Sequence, residues 1–347
     1  MRKIISIIGA RPQFIKHAPI QLELQKVYNA LTIHTGQHYD PKMSTVFFEE
    51  LKMAKPDFQF NIGGSKSQGE QTALMMIETE KVCLEVKPQA MLLYGDTNST
   101  LAGALVAAKL NIPQIHIEAG LRSYNRAMPE EINRIIADQL AQLLFCPTRQ
   151  AVENLRKEGI TGENVFLSGD VMCDSLNLVK NKVQRLYTGS YYFVTLHRPY
   201  NVDDRIRLTE ILIALNALGK DVLFPIHPRT VANMLKFELR KEDFPNVKFI
   251  EPVSYIESIS YQAYSDCIIT DSGGMQKEAY MLQKKCITLR SETEWVETLQ
   301  HNWNTLVFEN LADIKFYINE PCGTYVANLY GTGYAAKEIV SIIAENI

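Results

Sequence analysis

The sequence predicts an α/β protein of two domains, each built on a parallel sheet with crossover helices, with a ligand site in the cleft between them. Three observations carry this prediction. At 347 residues the chain exceeds what one hydrophobic core usually organises, so two domains of roughly 150 to 180 residues are expected. Short apolar, β-branched runs alternate with stretches of helical periodicity from one end to the other. That rhythm occurs twice. The segment 181–192 lacks strong apolar periodicity and carries the turn signal Thr188-Gly189-Ser190, which puts a boundary near 170–190 and domains at 1–175 and 176–330. Clefts between such domains are where ligands bind.

Composition narrows the partners. Apolar residues make up 46% and charged residues 22%, so nothing signals disorder, and a net charge of −3 leaves no basic footprint for nucleic acid or an anionic membrane. Any anionic ligand is expected to be held by a few placed cations. The start, Met1 to Gly9, meets a polar turn after six or seven residues, too short a run for a signal peptide or a membrane span, and reads as a first strand. Six cysteines, Cys83, Cys146, Cys173, Cys267, Cys286 and Cys322, form no CxxC pair, and several lie inside apolar runs; they read as buried reduced thiols of a cytosolic protein.

The strands expected in the first half are Ile4 to Gly9, Leu31 to Thr35, Met91 to Tyr94, Gln114 to Glu118, Leu143 to Cys146 and Val165 to Leu167. In the second half they are Tyr192 to Leu196, Val222 to Pro225, Val247 to Ile250, Cys267 to Thr270, Cys286 to Leu289 and Thr305 to Phe308. Chemistry-bearing residues gather at their C-terminal ends, where open parallel sheets bind ligands.

The first strand runs into Gly9-Ala10-Arg11-Pro12, where Pro12 suits a first helical turn, the small residues allow close backbone approach, and Arg11 and Lys16 add cations beside a helix N-terminus. Asp96 follows the third strand and Glu118 the fourth, and Pro129-Glu130-Glu131 opens the next helix. Asp96 also suits a helix cap, and two acids in a first turn suit the helix dipole. With parallel strands, however, Asp96, Glu118 and Glu130 share one sheet edge, and three converging carboxylates suit proton transfer. In the second half, His197 and His227 end equivalent strands and predict a polar cleft wall. The run Thr270-Asp271-Ser272-Gly273-Gly274-Met275-Gln276-Lys277-Glu278 passes from strand through a small-residue turn into a helix. Backbone amides of Ser272 to Gly274 can cradle a diphosphate, and Glu278, one turn later, can reach a ribose.

Taken together, Gly9-Ala10-Arg11-Pro12 with Lys16, Gly36-Gln37-His38, Gly95-Asp96-Thr97, Glu118-Ala119-Gly120-Leu121-Arg122, Pro129 to Arg134, His197-Arg198 and Asp271 to Glu278 resemble the UDP-N-acetylglucosamine 2-epimerase family, in family order. The resemblance implies a GT-B-like fold of two Rossmann-like domains, a homodimer, and a C-terminal helix at 331–347 crossing back onto the first domain. It implies a reaction without NAD or metal: anti elimination of UDP to a 2-acetamidoglucal, then syn re-addition giving the manno epimer. By motif, Asp96, Glu118 and Glu130 would handle protons; Arg11, His197 and the Ser272 to Gly274 turn would hold the diphosphate; Lys16, Arg134, Glu278 and Arg290, with His227 in the cleft wall, would bind substrate.

Ala10, Gln13 and Phe14 depart from the commonest first loop, and Arg290 to Glu297 from the usual Thr-Glu-Arg-Pro-Glu run. These variants resemble the branch acting on UDP-2,3-diacetamido-glucuronate, a surface-polysaccharide precursor, which opens the question of the C3 and C6 substituents. A GT-B glycosyltransferase or a non-enzymatic UDP-sugar sensor would have less use for three clustered acids. A dehydrogenase would want GxGxxG and an acid ending the second strand, where Leu31 to Thr35 has none. Gln37-His38 is followed by Tyr39-Asp40, and Gly69 to Met76 lacks the arginine with which many relatives hold a second, activating substrate molecule. Little or no such activation is expected.

Overall fold

The computed structural model describes residues 2–37, 48–63 and 66–347; His38, Tyr39 and Asp40 lie outside them. Contacts divide the chain into two compact units, one formed by Met1–Asn181 with Asn328–Ile347 and the other by Lys182–Ala327.

In the first unit, strands β1 (Lys3–Ile8), β2 (Asn29–His34), β3 (Phe58–Gln59), β4 (Ala90–Tyr94), β5 (Gln114–Ile117), β6 (Leu143–Cys146) and β7 (Val165–Leu167) form a parallel sheet in the order β3-β2-β1-β4-β5-β6-β7. The central strands are near-continuous apolar runs because helices cover both faces. Those helices are α1 (Arg11–Leu24), α2 (Gln68–Val86), α3 (Asn98–Lys109), α4 (Pro129–Leu140), α5 (Arg149–Lys157) and α6 (Val171–Val179). Local chemistry starts several of them: Ser67, Thr97, Thr148 and Asp170 each accept a backbone N–H of the first turn. Ile5, Ile7, Ile33, Met91, Leu93 and Val106 fill the core beneath α2 and α3.

The second unit repeats the plan with β8 (Tyr191–Thr195), β9 (Asp221–Pro225), β10 (Val247–Ile250), β11 (Cys267–Thr270), β12 (Lys285–Thr288) and β13 (Asn304–Leu306), ordered β10-β9-β8-β11-β12-β13 and again parallel. Its helices are α7 (Pro199–Val202), α8 (Arg205–Asn216), α9 (Pro228–Lys236), α10 (Tyr255–Tyr264), α11 (Gly273–Met281) and α12 (Ile314–Asn319). The last helix, α13 (Ala335–Asn346), belongs to the first unit and packs on α1 and α6. Asp174 of α6 caps it, accepting the backbone N–H of Ala335 (3.2 Å) and Ala336 (3.0 Å).

Every strand expected from the sequence overlaps an observed one; β3, a two-residue edge strand, was not expected. In each sheet the strand order reverses direction once, between β1 and β4 and between β8 and β11. The crevices at the carboxyl ends of those strand pairs are where such sheets take ligands. Four of the six cysteines, Cys83, Cys146, Cys267 and Cys286, are buried; Cys173 and Cys322 are only partly so, and all six are free. No helix among the described residues is long and apolar enough to cross a membrane.

Candidate functional site

At the carboxyl edge of the first sheet, the loop after β1 is organised from within. Gln13, at the third position of α1, turns its side-chain oxygen back to accept the N–H of Gly9 (2.8 Å) and Ala10 (3.2 Å), while its amide donates to the Tyr94 carbonyl (3.0 Å) and Thr100 Oγ1 (3.1 Å). A Cβ at Gly9 would fall 2.1 Å from Ser99 Oγ and 2.2 Å from Thr35 Oγ1. Gly9 is thus small because the protein's own hydroxyls need the space, and its N–H is committed to Gln13.

The next two strands deliver the carboxylates. After β5 the backbone turns sharply at Glu118, which adopts φ +70°, a region non-glycine residues enter at a cost of about 1 to 3 kcal/mol. The turn is held because the N–H groups of Glu118 and Ala119 both donate to the Phe145 carbonyl (3.1 and 3.0 Å). It points Glu118 at Lys16, whose Nζ lies 2.6 Å from both carboxylate oxygens, each side chain about nine-tenths buried. Asp96, after β4, meets Arg134 Nη2 at 2.6 Å, and its backbone carbonyl accepts Asn133 Nδ2 (2.8 Å). Lys16 and Arg134, expected to bind substrate, are therefore both engaged by these carboxylates. Asp96 leaves β4, which borders the point of reversal, and Glu118 leaves β5, the next strand over.

The two acids opening α4 differ. Glu131 is buried and accepts the Ser123 and Tyr124 N–H groups, the Ser123 hydroxyl and Arg134 Nη1, bonds that fix the 123–124 loop. Burial works to raise its carboxyl, and the Ser123 and Tyr124 N–H groups together with Arg134 outweigh it, holding it below the usual glutamate range. Glu130 remains partly exposed. Arg122 turns to Asp138 and Glu158. His17, buried between Tyr94 Oη (2.8 Å) and Thr32 Oγ1 (3.1 Å), is pushed down to about 3 by burial and is a neutral packing group.

In the second unit, fully buried Asp271 organises the edge. Its carboxylate accepts the N–H of His197 (3.1 Å) and Arg198 (3.0 Å) and the Asn201 amide (3.1 Å), and the His197 ring nitrogen Nδ1 lies 3.2 Å away. Asp271 thereby ties the loop after β8 to the loop after β11 and leaves the His197 ring about half exposed. The glycine turn opens α11 without a cap from the Ser272 side chain, and the Ser272 N–H itself donates to Thr270 Oγ1 (3.0 Å). A Cβ at Gly273 would come within 2.5 Å of a Glu294 oxygen, and Glu294 accepts Arg290 Nη2 (2.9 Å). Arg290 Nη1 is buried without a hydrogen-bond partner among the described residues. Glu278 is buried and accepts the Gln262 amide (2.8 Å); exposed His227 caps α9 by accepting the Arg229 N–H (3.2 Å).

Sequence reading assigned no role to Gln13, His116, Asp138 or Asp271. Gln13 carried a usable signal, since a Gln three residues after a helix's N-cap position can reach back to it. Asp271 follows an apolar strand just as Asp96 does.

Comparison with known proteins adds to this geometry. The family model described as UDP-N-acetylglucosamine 2-epimerase matches residues 21–344. A UDP-N-acetylglucosamine 2-epimerase homolog of Methanococcus maripaludis is 43% identical over 98% of this chain and 99% of its own. The UDP-2,3-diacetamido-2,3-dideoxy-D-glucuronate 2-epimerase of Pseudomonas aeruginosa is also 43% identical, over 99% of both chains. The crystal structure of Methanocaldococcus jannaschii UDP-GlcNAc 2-epimerase in complex with UDP-GlcNAc and UDP superposes with a TM-score of 0.90, at 39% identity and 99% coverage of both chains. The fold is accordingly α/β of the GT-B-like class.

Proposed function

The chain belongs to the UDP-N-acetylglucosamine 2-epimerase family, a family of isomerases, and from that premise we propose that it interconverts UDP-N-acetylglucosamine and UDP-N-acetylmannosamine. The observation that most supports this reading is the pair Asp96 and Glu118 on neighbouring strand ends, each with its own cation at 2.6 Å. Inversion at C2 needs proton transfer on both faces of the sugar, and carboxylates at fixed positions serve that purpose.

In the elimination, a carboxylate takes the C2 proton, the C–H electron pair forms the C1=C2 bond of 2-acetamidoglucal, and the C1–O bond breaks with UDP leaving. In the return, UDP re-adds at C1 while a carboxylic acid protonates C2 on the opposite face. No carbon other than C1 and C2 takes part, so the chemistry calls for neither a hydride carrier nor a metal. Asp96, Glu118 and Glu130 handle the protons. Arg11, His197 and the amides of Ser272, Gly273 and Gly274 hold the diphosphate, and a departing anion is stabilised where it gains charge. Lys16 and Arg134 hold the carboxylates in place and, with His227, Glu278 and Arg290, bind the substrate; the unsatisfied Nη1 of Arg290 supports that role. The six free cysteines fit a reducing cytosol.

A second reading, epimerisation of UDP-2,3-diacetamido-glucuronate, is supported by the equal identity to the Pseudomonas enzyme. Purified protein incubated with each UDP-sugar, with C2 followed by NMR, separates the two. Inversion of neither, or transfer of the sugar to an acceptor, would sink the proposal.

A further inference from the structure

His116 lies in the middle of β5, fully buried, beneath the edge that carries Asp96 and Glu118. Its ring has two polar neighbours. Nδ1 lies 2.7 Å from Asp138 Oδ1, and Nε2 lies 2.8 Å from the carbonyl oxygen of Gly95. A carbonyl oxygen only accepts, so Nε2 must carry a hydrogen. The Asp138 carboxylate already accepts from the Gly120 N–H (3.1 Å) and from Arg122 Nη1 (2.7 Å), and as a carboxylate it too only accepts. Nδ1 must then carry a hydrogen as well.

We infer that His116 donates from both ring nitrogens and is a positioning residue for the proton-transfer site, fixing the Gly95–Asp96 peptide from below. The charges around it alternate: Glu158, Arg122, Asp138 and His116 form a chain of ion pairs, each at 2.7 Å, that sums to zero. Every member except Glu158 is almost wholly buried, and pairing of this kind is what makes a buried charge tolerable. Burial works to raise the Asp138 carboxyl, and the His116 and Arg122 cations outweigh it, holding the group below the usual aspartate range. From β6 the only titratable neighbour of the chain is the Cys146 thiol, pushed up by burial and therefore uncharged.

What the ring holds explains why it is there. Gly95 adopts φ +59°, with its N–H donated to the Ile117 carbonyl (3.0 Å) and its C=O accepting from His116. The peptide before Asp96 is thus clamped by β5, and the carbonyl after it by Asn133. With Arg134 on the carboxylate, Asp96 has no freedom to drift. On the other side of Gly95, Lys16 Nζ and Glu118 Oε1 lie 3.3 and 3.6 Å from where a Cβ would stand. One glycine therefore separates the buried cation from the Lys16 and Glu118 pair.

This inference rests on the proposed epimerase reading for its catalytic consequence but not for the protonation state, and the test keeps the two apart. In the protein labelled with nitrogen-15 histidine, with the His116 signals assigned by their loss in His116→Gln, both ring nitrogens are expected to carry a hydrogen at neutral pH. An unprotonated ring nitrogen at neutral pH overturns the inference, whether or not the protein epimerises any sugar. In the epimerase assay, His116→Gln keeps one donor but loses the charge. It is expected to lower kcat on the order of 10- to 100-fold with KM little changed, the signature of displaced catalytic groups. It should also move the acidic limb of the pH–rate profile upward, because a fixed positive charge near the carboxylates is gone. Normal kcat with an unmoved profile overturns the positioning role. If His116→Gln does not fold, assignment by Asp138→Asn and the wild-type spectrum at neutral pH still decide which ring nitrogens carry a hydrogen.

Discussion

Replacing Lys16 with methionine tests the coupling on which the proton-transfer proposal depends. Methionine preserves most of the apolar stem and removes the ammonium that lies 2.6 Å from Glu118. Both side chains are about nine-tenths buried, so solvent screens the pair little. Breaking a buried pair by deleting one partner costs roughly 3 to 5 kcal/mol, because the remaining charge is uncompensated. Glu118 can escape that cost by taking up a proton. A carboxylate that must be ionised to take the C2 proton is then idle at neutral pH. Initial rates of Lys16→Met measured from pH 5 to 9.5 should show the acidic limb of kcat/KM displaced upward, with activity recovering in alkali, because the cation 2.6 Å from the carboxylate is gone. UDP affinity, measured by calorimetry, should change less. An acidic limb in its parental position, at any level of activity, would refute the reasoning, since Glu118 would then not be the ionising base.

Three further outcomes follow from the same structure. Asp96→Asn, Glu118→Gln and Glu130→Gln should each lower turnover by about 10² to 10⁴ while leaving UDP affinity largely intact, and near-normal turnover in any of them removes that residue from the proton-handling set. Gly9→Ala inserts a methyl group where Ser99 Oγ would be 2.1 Å away, so its thermal unfolding midpoint should drop by the equivalent of about 1 to 3 kcal/mol; an unchanged midpoint would mean the Thr35 and Ser99 hydroxyls yield freely. Initial rates should be hyperbolic in substrate, because Gly69 to Met76 offers no arginine for a second diphosphate; strong sigmoidicity would show that other residues build an effector site.

The parallel sheets were legible because strands covered on both faces must be apolar throughout, as Ala90–Tyr94 and Leu143–Cys146 are. β3 was not: it has two residues, follows Lys55-Pro56, and exists only because β2 offers it an edge, pairing Phe58 with Ile33. Candidate carboxylates were legible from their position after apolar strands. Their partners were not, since the Lys16 and Glu118 contact spans 102 residues and depends on a left-handed turn that the Phe145 carbonyl, on another strand, enforces. The first loop shows the same limit. Its small residues read as room for a ligand, whereas Gly9 makes room for Ser99 and Thr35. Composition reports that space is needed, and only packing reports for what.

The claim that matters most is that C2 is inverted through removal and return of its proton. It is tested most directly by running the reaction in heavy water and reading the product by NMR and mass spectrometry. Epimerised product is expected to carry deuterium at C2 and nowhere else on the ring. Product inverted at C2 with its original hydrogen retained would contradict elimination and require a route through oxidation elsewhere on the sugar.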